Sequence, residues 1–211
     1  MFNLNNHTEI NMGTKGELTR QRILDTAAQM FWKSSYHSVR IDKIVAQAQV
    51  NKASFYQYFK NKEQAAFDGI ELMHQRTKEK VFDASFAKTK DPVKRLERIF
   101  KEIYNIHKSL KSNDGCTPGC PFVNMGNELA TDNEKIRKKV AAIFEDFYAY
   151  HEQIFSAAQQ LNLTKVTQKP EYMARQVQGI LNGAMNSAKI RNRPQDILDA
   201  LHSAKAVMGF V

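Results

Sequence analysis

Residues 50–64 read VNKASFYQYFKNKEQ: four of the five positions from Phe55 to Phe59 are aromatic, and Lys52, Lys60 and Lys62 surround them. Asn51 is a good N-cap, because its side-chain oxygen accepts from a free amide of the next turn. Asn61 is another, with Gln64 three residues on in the capping-box arrangement. The stretch therefore reads as a helix of about two turns from Lys52 to Tyr58, with a longer helix starting at Lys62. On the short helix, Phe55 and Phe59 share one face. Lys52 and Tyr56 share a different face, as do Ala53 and Gln57. One side suits a core; the other presents a cation, a phenol, a methyl group and an amide.

Upstream, LTRQRILDTAAQMFWK places Ile23, Leu24, Ala27, Ala28, Phe31 and Trp32 on one helical stripe. A short helix follows from Ile41 to Ala48, with Ile41, Ile44, Val45 and Ala48 inward. Helix, turn, short helix is the helix-turn-helix plan, whose second helix enters the major groove of DNA. Basic side chains neutralise phosphates and Tyr hydroxyls donate to them. Ala53 would let the backbone approach the bases or touch a thymine methyl. A plain three-helix subdomain with a solvated lysine edge has the same periodicity, and both readings stand at this point.

The chain has 211 residues, 42% hydrophobic and 25% charged, enough to bury a sizeable core in one large domain or in a small domain joined to a larger one. No run of about 18 apolar residues occurs, so no membrane span is expected. The opening residues, MFNLNNHTEINMGTKGE, lack the charged-then-apolar order of a signal peptide, and residues 1–17 are expected to form a disordered arm. Two cysteines argue against a disulfide scaffold and fit a reducing cytosol, so a cytoplasmic location is expected. A net charge of +9 favours an anionic partner. Residues 1–60 hold 8 Lys/Arg against 4 Asp/Glu and the remainder 23 against 18, so the amino-terminal part is the more basic per residue.

Helical periodicity continues beyond residue 62. Asp91-Pro92 is a cap followed by Pro at the first helical position, ahead of Val93, Leu96, Ile99, Phe100 and Ile103. SNDGCTPG reads as a loop. Asp132 opens a helix carrying Ile136, Val140, Ile143, Phe144, Phe147, His151, Ile154 and Phe155. LNLTKVTQKP breaks it, Pro170 starts a helix to about Arg191, and Pro194 begins the last. Strand signals are scarce. The expected fold is all-α, with a helix-turn-helix domain over 18–62 and a larger helical effector and dimerisation domain over 63–211.

The run from RQRILDTAAQMF through IDKIVAQAQVNKASFYQYFKNKEQ resembles the DNA-binding domain of the tetracycline-repressor family. The matching elements are Ile23-Leu24, Ala27-Ala28, Phe31, Tyr36, Ile44, Ala48, Val50, Phe55-Tyr56, Tyr58-Phe59 and Lys62-Glu63. The family usually has Gly where Ser35 and Gln49 stand, and Thr near Val39. Gln49 falls in the turn between two helices, where a strained backbone is expected. Val39 lacks a hydroxyl that typically meets a phosphate, a role Arg40 would take. The resemblance implies that Lys52, Ala53, Tyr56 and Gln57 face the bases or the groove, with Asn51 at the head of their helix, and that Arg40, Tyr58 and Lys62 face phosphates. It also implies a homodimer on a palindromic double-stranded operator, repressing until an effector binds. The last two helices would join the protomers, and Gly179, Gly183, Ala184, Ser187 and Ala188 there would let helices approach closely.

Cys116-x3-Cys120 with no further cysteine makes a poor metal site, and no cofactor is expected. Pro121 suits the first position of a helix, which makes Cys120 its N-cap; a thiol there meets the positive helix end, which favours the reactive thiolate. Cys116 would be a resolving partner. GCPFVNMGNELATDNEKIRKKV and GAMNSAKIRNRPQDILDAL resemble electrophile-sensing members of the same family. In those, a cysteine at the place of Cys120 is the sensor and a lysine aligned with Lys189 lies near it; Cys116 has no clear match. The other reading of Cys120 is a packing thiol. The alternative input is a small organic effector held by Phe100, Tyr104, His107, Phe144, Phe147, Tyr148 and His151, although aromatic stripes also build cores. Two rival functions remain. A nonspecific nucleic-acid binder would ignore operator sequence. A helical thiol peroxidase or reductase using Cys120 and Cys116 lacks a nucleophile–base pair at recognisable spacing, so an enzyme is not expected.

Overall fold

The computed structural model describes residues 14–210. Most of the expected amino-terminal arm lies outside them, but its end does not. Thr14 caps α1 (Lys15–Lys33) in a capping box with Glu17, so the helix starts inside the segment expected to be loose. Next come α2 (Ile41–Gln47), α3 (Lys52–Tyr58) and α4 (Lys62–Thr77). A π-helical turn (Lys78–Asp83) leads into α5 (Ala84–Lys88). The remaining helices are α6 (Pro92–Asp114), α7 (Pro121–Leu129), α8 (Glu134–Gln160), α9 (Pro170–Ile190) and α10 (Gln195–Val207). Among the described residues no strand occurs, and the all-α expectation holds.

Two compact units divide the chain: residues up to His74 with Pro121–Arg137, and Gln75–Cys120 with residues from Lys138 onward. This differs from a division at residue 62, because α4 as far as His74 and the segment carrying α7 both belong to the first unit. The core of that unit is built from the stripe on α1 (Ile23, Leu24, Ala27, Ala28, Phe31), from Ile44, Val45 and Ala48, and from Phe55 and Phe59. Ala65, Ala66 and Ile70 of α4 and Phe122, Met125 and Leu129 of α7 complete it. At Gly69 a Cβ would stand 3.3 Å from Ala28 Cβ, so glycine there lets α4 lie close to α1.

The second unit is organised around α6, whose buried stripe runs through Leu96, Ile99, Phe100, Ile103, His107 and Leu110. Asp91 starts α6 by accepting from the amides of Val93 and Lys94, at 2.9 and 3.1 Å. The helix continues through Asp114 and stops at Gly115, whose φ of 76° only glycine adopts readily, so the expected loop begins three residues late. Likewise α8 is capped by Asn133, not Asp132: its Oδ1 accepts from Ile136 N at 3.0 Å. Asn162 and Asn192 end α8 and α9 with φ of 55° and 48°. In each case the following amide bonds back to the carbonyl five residues earlier, the Schellman pattern. Inside the unit, Phe82 of the π-helical turn stacks on Phe147 at 4.8 Å and meets His151 edge-on at 5.9 Å.

His151 is fully buried, with its Nε2 3.1 Å from Gln178 Oε1. Burial pushes its pKa down to about 4, partly offset by the Gln178 bond. An unfolded imidazole titrates near 6.5, so below that pH the unfolded chain binds a proton that the folded chain refuses. Stability should therefore be complete above about pH 6.5 and fall by about 3 kcal/mol as the pH drops towards 4. Urea midpoints across that range check this, and His151→Leu should flatten the slope.

The second prediction concerns Gln49, which ends α2 with a φ of 54° and the same back-bonding pattern, Val50 N to Val45 O at 3.0 Å. Gln49→Gly should raise stability by about 0.5–1 kcal/mol, read as a higher melting temperature.

Candidate nucleic-acid interface

Asn51 heads α3, its Oδ1 accepting from Ser54 N at 2.7 Å and from Ser54 Oγ at 3.0 Å. That oxygen is committed to capping, so Asn51 fixes where the helix begins. Asn61 does the same for α4 through Gln64 N at 2.8 Å, but Gln64 Oε1 returns to Lys60 N rather than to Asn61. Phe55 and Phe59 are fully buried, with rings 5.4 Å apart. Arg20 of α1 lies 5.4 Å from the Phe59 ring and pairs with Asp68 of α4 at 3.0 Å. These contacts fix the rotation of α3 about its axis. The opposite side, Lys52, Ala53, Tyr56 and Gln57, is exposed as expected.

Two of the basic residues are already engaged. Lys52 Nζ forms an exposed ion pair with Asp42 of α2 at 2.9 Å, and this hydrogen bond and charge raise its pKa. Lys62 points into the unit. Its Nζ donates to the carbonyls of Tyr36 and Val39, at 3.1 and 3.3 Å, and sits 4.1 Å from the Tyr36 ring centroid. Burial lowers its pKa, with the Glu128 carboxylate opposing the shift. That geometry suits holding the segment before α2 better than facing a phosphate. Arg40 is exposed at the N-cap position of α2 and makes no side-chain cap bond. Tyr58 is half-buried, its hydroxyl 3.3 Å from where a Cβ on Gly16 would be. Val39 is buried and packs instead of reaching outward. The Asp42–Lys52 pair escaped sequence reading because it joins two helices across a turn and follows no helical spacing.

In the second unit, Cys120 is buried and Cys116 exposed. Gly119, at φ 77°, lies so close to Lys189 that a Cβ would stand 3.2 Å from its Cδ. Asn192 pins the loop, donating to Gly115 O at 3.0 Å and accepting from Thr117 N at 3.0 Å. His107 is buried beside the Gly119 backbone, its Nδ1 2.8 Å from Ile103 O, and burial lowers its pKa. Of the aromatic candidates, Phe144 meets Phe147 edge-on at 6.3 Å and stacks on Tyr148 at 6.4 Å. Tyr148 and Tyr104 lie under Arg175 and Lys108, at 4.8 and 5.8 Å, while Phe100 is core. Phe147 and His151 are joined by Phe82, which the sequence had not singled out. On α9, Ala184 and Ala188 are buried and Ser187 bonds Asp196 at 2.7 Å, so these serve internal packing. Gly179 and Gly183 face open space. Among the described residues no group of three His, Cys, Asp or Glu could hold a metal ion, and no helix is long and apolar enough to cross a membrane.

Comparison with known proteins bears on the family and the fold. A model of bacterial regulatory proteins of the tetR family matches residues 23–64. A second, described as the tetracyclin repressor-like C-terminal domain, matches residues 92–204. The chain is 27% identical over 196 residues to the transcriptional regulator AcuR of Cereibacter sphaeroides, covering 91% of this chain and 84% of that one. It is 29% identical over 181 residues to the HTH-type transcriptional repressor DhaR of a Mycobacterium species, covering 82% and 84%. In fold it is similar to a regulatory protein TetR from Rhodobacter sphaeroides, with a TM-score of 0.77, 25% identity and 91% and 97% coverage. It is also similar in fold to the reduced form of Escherichia coli NemR, with a TM-score of 0.72, 21% identity and 92% and 99% coverage. The C-terminal match alone spans more than half of the sequence, and the chain belongs to the tetracycline-repressor family of DNA-binding transcriptional regulators.

Proposed function

We propose that the protein is a cytoplasmic homodimeric repressor that binds a palindromic DNA operator and leaves it when an effector binds or Cys120 is modified. The observation that carries this reading is the two-sided α3, anchored by Phe55 and Phe59 and presenting Lys52, Ala53, Tyr56 and Gln57 to solvent. A helix of this kind reads base edges in the major groove while Arg40 and Tyr58 meet phosphates. Asn51 contributes by capping and Lys62 by shaping the segment before α2. A relative named as a repressor supports the direction of regulation.

Dimerisation through α9 and α10 is supported by the outer face of α9. Tyr172 and Ile190 are 56% and 75% exposed there, and nothing lies within 4 Å of a Cβ on Gly179 or Gly183. Such a face lets a second helix approach closely while large apolar groups at its ends leave water. For the signal, Cys120 is the candidate thiol, Lys189, whose side chain lies against Gly119, the candidate cation, and Cys116 the exposed thiol of the same loop. Only 5% of Cys120 is exposed, so its modification requires the loop around it to open. A small organic effector among Phe100, Tyr104, His107, Phe144, Phe147, Tyr148 and His151 is the other input, and Phe82 joins that group by contact.

Lys52→Ala and Tyr56→Ala should each cost about 1–3 kcal/mol of operator binding per half-site, at unchanged melting temperature. Fluorescence anisotropy on operator DNA and on a scrambled duplex measures this; wild-type affinity in both variants would overturn the recognition-helix assignment. The thiol is tested by adding N-ethylmaleimide to the operator complexes of the wild type and of Cys120→Ser. Release of the wild type alone supports a thiol signal, whereas two unresponsive complexes exclude it and leave the small effector.

A further inference from the structure

Helix α7 is moored to the segment that leads into α2. Its apolar side, with Phe122 and Met125, lines a crevice with Ala28, Phe31 and Ile70. That contact is nondirectional and tolerates small slides. At its carboxyl end the contact becomes specific: Ser35 Oγ donates to Glu128 Oε2 at 2.8 Å. The same Oγ accepts from His37 N at 3.2 Å, and the Ser35 carbonyl receives Ser38 Oγ at 3.0 Å and Val39 N at 3.2 Å. Ser35 is thus the hub of the corner between α1 and α2. Glu128 also acts on the Lys62 ammonium, which holds the Tyr36 and Val39 carbonyls of that corner. Just beyond α7, Asn133 Nδ2 donates to Glu63 Oε1 at 2.9 Å.

The corner runs directly into Arg40 and Ile41, the start of α2, and α3 is tied to α2 by the short turn at Gln49 and by the Lys52–Asp42 pair. A shift of the corner is therefore passed to the recognition helix. A carboxylate receiving a hydroxyl has a preferred distance and direction, which an apolar contact lacks. Glycine, the residue usual at position 35 in the resembling domains, has no hydroxyl to donate, so this link comes from the serine.

We propose that Glu128 is a positioning residue for operator binding: through Ser35 and Lys62 it couples the place of α7 to the corner that seats α2 and α3. This rests on the reading of α3 as the DNA-recognition helix. Because α7 follows Cys120 by a single peptide bond, the latch also gives an event at that loop a route to the corner.

The test compares Glu128→Gln, Ser35→Ala and the double variant for binding to operator and to scrambled duplex over a range of salt, with melting temperatures measured alongside. Glu128→Gln removes a negative charge, so electrostatics alone would tighten binding to any DNA. The latch predicts the opposite for the operator: a loss of about tenfold in each single variant, no further loss in the double, and an unchanged salt slope. Operator affinity equal to or tighter than wild type in both single variants overturns the proposal, as does simple additivity in the double. Should Glu128→Gln fold poorly, Ser35→Ala carries the same prediction alone. Failure of the underlying reading is separately visible, since Lys52→Ala would then bind operator normally.

Discussion

The burial of Phe55 and Phe59 is the contact on which the functional side of the molecule depends. A helix as short as α3 is marginal by itself in water, so its orientation has to come from outside. Two rings four residues apart supply it, sinking into the surface made by α1 and α2, with Arg20 over Phe59 and paired to Asp68 of α4. Once that side is fixed, helical geometry leaves no choice about the other. Lys52, Ala53, Tyr56 and Gln57 face solvent because the phenylalanines face the core, and the chemistry that side presents follows from packing.

Much of this was legible in the sequence because it is local. Caps at Asn51, Asn61 and Asp91, the Pro residues opening α6, α7 and α9, and the apolar stripes each involve residues within a turn or two of one another. The errors were local as well, and arose where two signals competed. Residues 112–114 read as loop because they are small and polar, yet Gly115, the one residue at ease in a left-handed conformation, decides where α6 stops. Asp132 and Asn133 both look like caps, and the one whose oxygen reaches Ile136 N wins. Thr14 and Glu17 carried a capping box that composition masked, because the Asn-rich segment before them suggests disorder.

The illegible part is tertiary. No periodicity reveals that α7 packs with α1 and α4, that Ser35 meets Glu128, or that the Lys62 ammonium turns inward to two carbonyls. Lys62 matters most here, since a lysine beside a recognition helix reads naturally as a phosphate ligand. Its half-buried position over Tyr36 shows a cation used to close backbone acceptors that a bend would otherwise leave bare. The aromatic residues of the second unit show the same limit: the helix spacing that groups Phe144, Phe147 and Tyr148 does not say which of them meets Phe82 and which is covered by an arginine.

On the proposed reading of α3 as the recognition helix, the ion pair between Lys52 and Asp42 would bear on how a searching protein tells one site from another. A free ammonium choosing between water and the wrong base loses little by either. Here the competitor is an exposed carboxylate of the same chain at 2.9 Å, which a base edge reached by Lys52 would have to displace. A base edge offering good acceptors repays the exchange; a poor one leaves the lysine where it is. If α3 reads DNA as proposed, Asp42 would be a reference ligand carried within the protein, against which each stretch of duplex is compared.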